Sequence, residues 1–223
     1  MVVAISVFAW VGFGSTVICE TAAQRLICAN AIWPRELVQN PLHFVLSFLT
    51  APLFHNGLTH MLLIMVCLMV VSQTAEIRLG TQRTITIFFF GQLAVGTLIA
   101  LLLNVGASYS PSPSSSGLAA WFHSGLSRNW MGGSVGLYFL MGALFARIER
   151  PILAVGIYLV LDMLNLFVLH GAASHTVLAH VMAVLLGVWI GWRWRDEELA
   201  GMADDVGEAV ALHPAPSETV NES

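Results

Sequence analysis

The sequence predicts an all-α membrane protein: a bundle of six transmembrane helices with a long outer first loop and an acidic tail. Three observations lead there. Of 223 residues, 57% are hydrophobic and only 10% charged, against roughly 25% charged in a soluble domain. Apolar stretches near the ~20 residues that cross a bilayer follow one another closely. The chain has no lysine, and its arginines fall into two unequal groups when the apolar stretches alternate across a membrane.

Taken in order, the predicted spans are about 1–18, 57–74, 84–104, 131–147, 151–170 and 174–193. They make one membrane domain, 1–195, followed by a tail, 196–223. The first span lacks the positive n-region of a secretory signal and reads as retained. The fourth is short, so its N-terminal end must sit below the membrane surface, met by a loop that dips in. Irregular backbone at that depth survives only where it lines protein or water. Arg78, Arg83, Arg147, Arg150, Arg193 and Arg195 lie on one side, and Arg25, Arg35 and Arg128 on the other. The positive-inside rule makes the first side cytoplasmic, with both termini there. Trp189, Trp192 and Trp194 among the last arginines read as an interfacial anchor.

Between the first two spans, 26–33 and 42–54 are too apolar for a free loop and are predicted to lie in the interface as amphipathic structure. The segment 107–117 has the composition of a flexible linker. The tail is acidic, without aromatic residues, and is predicted to be disordered. Cys19 and Cys28 flank a short polar stretch and can pair if it faces an oxidising side. Cys67 sits in an apolar run as a small apolar residue. There is no CxxC spacing, so no metal site is expected, and no basic patch that would suggest nucleic acid.

The residues that demand explanation are polar ones in apolar spans, which are functional hypotheses by default. Ser134 lies in Gly132-Gly133-Ser134-Val135-Gly136, a Gly-x-Ser-x-Gly pattern. In a soluble α/β hydrolase that pattern marks a nucleophile elbow, and the order Ser134, Asp162, His180 even matches that fold. The strands such an elbow needs are absent, and here the serine opens a membrane helix. His180 lies ~9 Å below the outer end of the last span at ~1.5 Å per residue, a level Ser134 can share. Ala179, Ala183, Gly187 and Gly191 form a small-residue ridge that admits a close neighbour. Gly132 and Gly136 are the expected matching pair on the fourth span. Close packing would bring imidazole to hydroxyl, and a hydroxyl needs such a base to become nucleophilic.

With these residues in place the chain resembles the rhomboid family of intramembrane serine proteases over about 49–192. His55 and His60 resemble its His-x4-His block, and Glu76-Ile77-Arg78-Leu79-Gly80 the end of the same helix. Ser134 with Tyr138, Met141 and Gly142 resembles the serine block, and Ala179-His180 with Gly187 the histidine block. The resemblance implies a rhomboid-like bundle and a Ser134–His180 dyad without an acid. It further implies oxyanion or substrate binding by His60 and by backbone at Gly133 and Ser134. No cofactor is implied. The partners would be a membrane protein substrate and the lipid bilayer, with cleavage near the outer boundary of the cell membrane. Three departures stand out: Ile64 where the family has an oxyanion Asn, Val135 where it usually has Gly, and Leu46-Ser47 near its usual Trp-Arg pair.

His55 and Asp162 are structural polar candidates. His55 is predicted to hydrogen-bond loop backbone, and His175, a turn above His180, to be exposed. Asp162 has several possible roles: orienting His180, pairing with Gln92 or Asn104, or staying protonated. A structural hydrogen bond is the favoured one. Two rival functions remain: a rhomboid-like pseudoprotease that binds membrane clients without cutting them, and a small transporter using Asp162 and the histidines as a proton relay.

Overall fold

The computed structural model describes residue 19 and residues 22–55, 58–110, 117–164 and 174–212, with side chains for all of these except 22–24, 58–60 and 196–212. The predicted first span and residues 165–170 of the fifth lie outside the described residues. So do the side chain of His60, much of the linker and the end of the tail.

Among the described residues the chain is helical, with no β-strand and one isolated bridge between Ile32 and Trp130. The segment ahead of the predicted second span folds as α1 (Ala22–Asn30), α2 (Glu36–Gln39) and α3 (Pro41–Thr50), closed by a 3₁₀ turn at Ala51–Leu53. Then come α4 (Leu58–Leu79), α5 (Thr81–Ser108), α6 (Gly117–Leu126), α7 (Ser134–Phe145), α8 (Pro151–Leu164) and α9 (Ser174–Leu212). Among the described residues, three helices are long and apolar enough to cross a membrane: Met61–Leu79, Thr81–Ser108 and Ser174–Arg195.

The amphipathic structure expected for residues 42–54 is not what α3 shows, because that helix is apolar on both faces. Asn40 caps α3 by accepting a hydrogen bond from the His43 backbone N–H at 3.3 Å, and Pro41 supplies a preset φ at the first helical position. Phe44 and Phe48 are buried against Ala100 of α5, while Leu42, Val45, Leu46 and Leu49 face outward. A disulfide joins Cys19 to Cys28, with their Cα atoms 6.0 Å apart.

The core sits where α5, α7 and α9 meet. Ile87, Val95, Ile99 and Leu103 of α5 pack with Phe139, Leu140 and Ala143 of α7 and Ala179 and Ala183 of α9. Lipid tails are as apolar as leucine, so burial from water does not drive such helices together; close van der Waals packing must. The α7–α9 seam supplies it. A Cβ added at Gly187 would stand 2.1 Å from the Phe139 carbonyl oxygen, and one at Gly142 would stand 2.2 Å from that of Val184. The two backbones touch.

That seam corrects one sequence expectation. The ridge on α9 is as predicted, but its match is Gly142 and Ala143, not Gly132 and Gly136. Gly136 instead faces the Phe88 carbonyl on α5, and Gly132 precedes the helix with φ of 94°. That left-handed conformation suits a glycine in a turn. Two other stretches differ from expectation. Residues 117–126, given no element from sequence, form α6, which lies against the start of α9 through Trp121, Ser174 and His175. And α9 continues to Leu212, past Arg195 into the acidic stretch expected to be disordered. Its Glu- and Ala-rich residues favour helix intrinsically, and the chain simply extends one already nucleated.

Candidate active site

Ser134 is the first residue of α7. The residue before it, Gly133, has no side chain to cap the helix, so the short loop 127–133 is fixed from outside. Trp130 exchanges two backbone hydrogen bonds with Ile32, at 2.8 and 2.9 Å, and the Gly132 N–H donates to the Ala51 carbonyl at 2.9 Å. From the α5 side, the Gln92 amide takes hold of both ends of the turn. Its Nε2 donates to the Gly132 carbonyl at 3.0 Å, and its Oε1 accepts from the Gly136 N–H at 2.7 Å. Gly136 N–H is one of the donors that a helix start leaves without an intrahelical partner. Gln92 satisfies it while pinning the loop.

His180 projects from α9 across the glycine seam. Its Nε2 lies 3.1 Å from Ser134 Oγ, within hydrogen-bond reach. Its ring stacks on Tyr138, one turn along α7 from Ser134, with centroids 3.9 Å apart and planes 22° from parallel. On the far edge of the imidazole, Nδ1 lies 3.3 Å from Asp162 Oδ2 on α8. The other carboxylate oxygen accepts from the Tyr138 hydroxyl at 2.5 Å. Ser134, Asp162 and His180 are all buried, at 8%, 5% and 4% exposure. A carboxylate at that depth is costly unless its oxygens are hydrogen-bonded, and here both are.

The structure thus joins Ser134, His180 and Asp162 in one line and places Gly133 at the head of α7. The role expected of His60 lies outside the described side chains, although the helix it opens is present. His55 is buried in the turn after Leu53. Of the partners considered for Asp162 from sequence, His180 is met, whereas Gln92 serves the Gly132–Gly136 turn and Asn104 donates to the Pro34 and Ala100 carbonyls. His175 is buried rather than exposed. Its Nε2 is hydrogen-bonded to the Trp121 carbonyl at 2.8 Å, and its ring stacks on the Trp121 indole at 4.3 Å. The unpredicted helix α6 is what covers it.

Two residues named from sequence, Gln92 and Tyr138, make contacts at this site that were not expected of them. Gln92 is a polar side chain in an apolar span, which was signal enough to ask what backbone it serves. Tyr138 stands four residues after Ser134, hence on the same helical face, a spacing that pointed toward the same histidine. Among the described residues, no group of three or more His, Cys, Asp or Glu is placed to hold a metal ion.

A protein-family model described as the Rhomboid domain matches residues 43–196. The matched stretch includes Ser134, Asp162 and His180. Comparison with curated proteins and with solved structures finds no match.

Proposed function

We propose, since this chain belongs to the rhomboid family, that it is a serine endopeptidase cleaving membrane proteins within the bilayer, with Ser134 as nucleophile and His180 as general base. The observation that carries this is the 3.1 Å approach of His180 Nε2 to Ser134 Oγ in a buried site. Rhomboids are generally intramembrane serine proteases that act on membrane protein substrates, and this pair supplies what that chemistry needs.

In this reading Ser134 Oγ attacks the scissile carbonyl as its proton passes to His180 Nε2. The proton then goes to the departing amine, giving an acyl-enzyme that water opens by the same route. The developing oxyanion would be met by backbone N–H groups at the start of α7, where the helix dipole is positive. The first intrahelical bond comes from Leu137 N–H to the Gly133 carbonyl, so the Ser134 and Val135 amides come before the helical ladder. The Gly132 carbonyl is held toward Gln92. Because the peptide is planar and trans, the Gly133 N–H points the other way. His60, at the head of α4, is assigned as a further donor.

The same proposal takes six spans with both termini cytoplasmic. The outer segment then faces a non-cytoplasmic compartment, and the Cys19–Cys28 disulfide supports that orientation. A second reading, a client-binding pseudoprotease, is favoured by Ile64, a buried aliphatic where the resemblance implies an oxyanion Asn. Loss of one such donor typically costs about 10²–10³ in rate, which weakens catalysis rather than ending it. The test is cleavage of a reporter membrane protein in liposomes. The protease reading expects cleavage by the wild type and none by Ser134→Ala; equal cleavage by both, or none by the wild type, contradicts it.

A further inference from the structure

The family resemblance implies a two-residue site without an acid, yet a buried carboxylate stands on the far side of the histidine. We propose that Asp162 is the positioning residue of His180: it holds the imidazole by Nδ1 and is itself held by Tyr138. This rests on the proposed roles of Ser134 and His180 and adds a third and a fourth side chain to them.

Four contacts make the arrangement directional. Asp162 Oδ2 meets Nδ1 at 3.3 Å, while Ser134 Oγ meets Nε2 at 3.1 Å, so the two partners occupy opposite edges of one ring. A neutral imidazole carries one proton. With Nδ1–H donated to the carboxylate, Nε2 keeps its lone pair for the serine proton. The Tyr138 hydroxyl donates to Oδ1, which leaves Oδ2 free to turn to the ring, and the Tyr138 ring stacks on the imidazole and sets its plane. Ser134 and Tyr138 share one face of α7, so a single helix presents both nucleophile and clamp.

The consequence for the reaction is electrostatic. When Ser134 Oγ bonds to the carbonyl carbon, its proton moves to Nε2 and the ring becomes a cation; Nδ1–H stays where it is and Asp162 stays ionised. A carboxylate beside that imidazolium favours it, as in soluble serine hydrolases. A bare structural tether does not require this geometry. Asp162 could satisfy itself through Tyr138 alone, yet its second oxygen is spent on the one ring nitrogen that does not face the nucleophile. Other titratable groups near the cluster are Tyr158, whose ring meets Tyr138 edge-on at 5.3 Å, and Cys67. His175, on the same helix as His180, is engaged with Trp121.

The test compares wild type, Asp162→Asn, Tyr138→Phe and Ser134→Ala in nanodiscs. It uses cleavage kinetics as a function of pH and the titration of ¹⁵N-histidine-labelled His180 by NMR. For Asp162→Asn the expectation is a kcat lower by about 10² or more with KM nearly unchanged. The His180 midpoint and the acid limb of kcat/KM should both move down by about one pH unit, because the imidazolium loses its anionic neighbour. Tyr138→Phe keeps the stacking ring but removes the donor to Oδ1. The carboxylate becomes more basic, and the His180 midpoint should move the opposite way, upward. Unchanged midpoints in both variants overturn the proposal, whatever happens to thermal stability, and leave Asp162 a tether. The NMR titration does not need turnover. If the wild type proves inert, the protease reading fails, while the two midpoints still decide the role of Asp162.

Discussion

The seam between α7 and α9 and the outer edge formed by α4 and α8 are built by different means. In the seam, Gly142, Ala143, Ala183 and Gly187 let two backbones touch, and Val177, Ala179, His180, Ala183, Val184 and Val188 of α9 are buried. In α4, by contrast, Leu62, Leu63, Val66, Met69 and Val70 point outward. On α8, Ile152, Leu153, Ile157, Val160 and Leu161 do the same, and Asp162 and Val155 are its buried residues. Ser134 and His180 therefore stand on helices locked by backbone contact. Asp162 stands on a helix with two buried residues, tied inward by its hydrogen bonds to Tyr138 and His180 and by Val155, Tyr158 and Leu159 packed with Ala146, Val184 and Val188. Close backbone packing is thus concentrated around Ser134 and His180, where the proposed proton transfer would need a fixed distance.

The contrast can be broken at its strongest point first. Gly187→Leu puts side-chain carbon into the Phe139 carbonyl. Backbone cannot yield as a side-chain tip does, so the helices must part, at a cost of about 3 kcal/mol or more. Thermal unfolding in detergent should show the loss, and activity should vanish because Ser134 and His180 separate. Gln92→Leu comes next. It strands the Gly132 carbonyl and the Gly136 N–H in a buried site, which costs about 1–3 kcal/mol. Since the defect lies in the loop that carries Ser134, on the proposed function kcat should fall more than thermal stability alone would explain.

At the edge the sign reverses. A Cβ at Gly156 on α8 meets nothing within 4 Å. Gly156→Ala should keep full activity and leave the melting temperature unchanged or raised, by an equivalent of roughly 0.5–1 kcal/mol at most. The smallest effect belongs to the segment ahead of α4, where His43 bonds Glu36 and the Ala29 carbonyl. The Glu36 hydrogen bond raises the His43 pKa above 6.5, against the opposing effect of burial. A raised histidine pKa means stability that is complete below the unfolded value and is lost as pH rises through the folded one. Glu36→Gln should therefore lower the melting temperature at about pH 6 and much less at about pH 8.5, with Glu ionised at both.

Much of this site is legible in the sequence because membrane spans make polar residues conspicuous. Ser134, His180 and Asp162 stand out against apolar neighbours, and the ridge from Ala179 to Gly191 announces a close partner for α9. What the sequence hides is which surface each residue meets. Gly132 and Gly136 have helical spacing, but the helix starts only at Ser134, so one is a turn residue and the other faces α5. His175 looks exposed until α6 is known to lie over it, and nothing in its own helix says so. Gln92 and Asp162 are equally polar and equally buried, and local periodicity cannot assign one to the Gly132–Gly136 loop and the other to His180. Those assignments depend on the relative rotation of α5, α7 and α8, which is settled by packing among all of them.

Activation of Ser134 by His180 can be read out by labelling the protein in lipid with a fluorophosphonate and locating the adduct by peptide mass spectrometry. One adduct is expected, on Ser134, lost in His180→Ala while that variant keeps its fold by thermal unfolding. No adduct on the wild type, or labelling of Ser134 that survives His180→Ala undiminished, would contradict it.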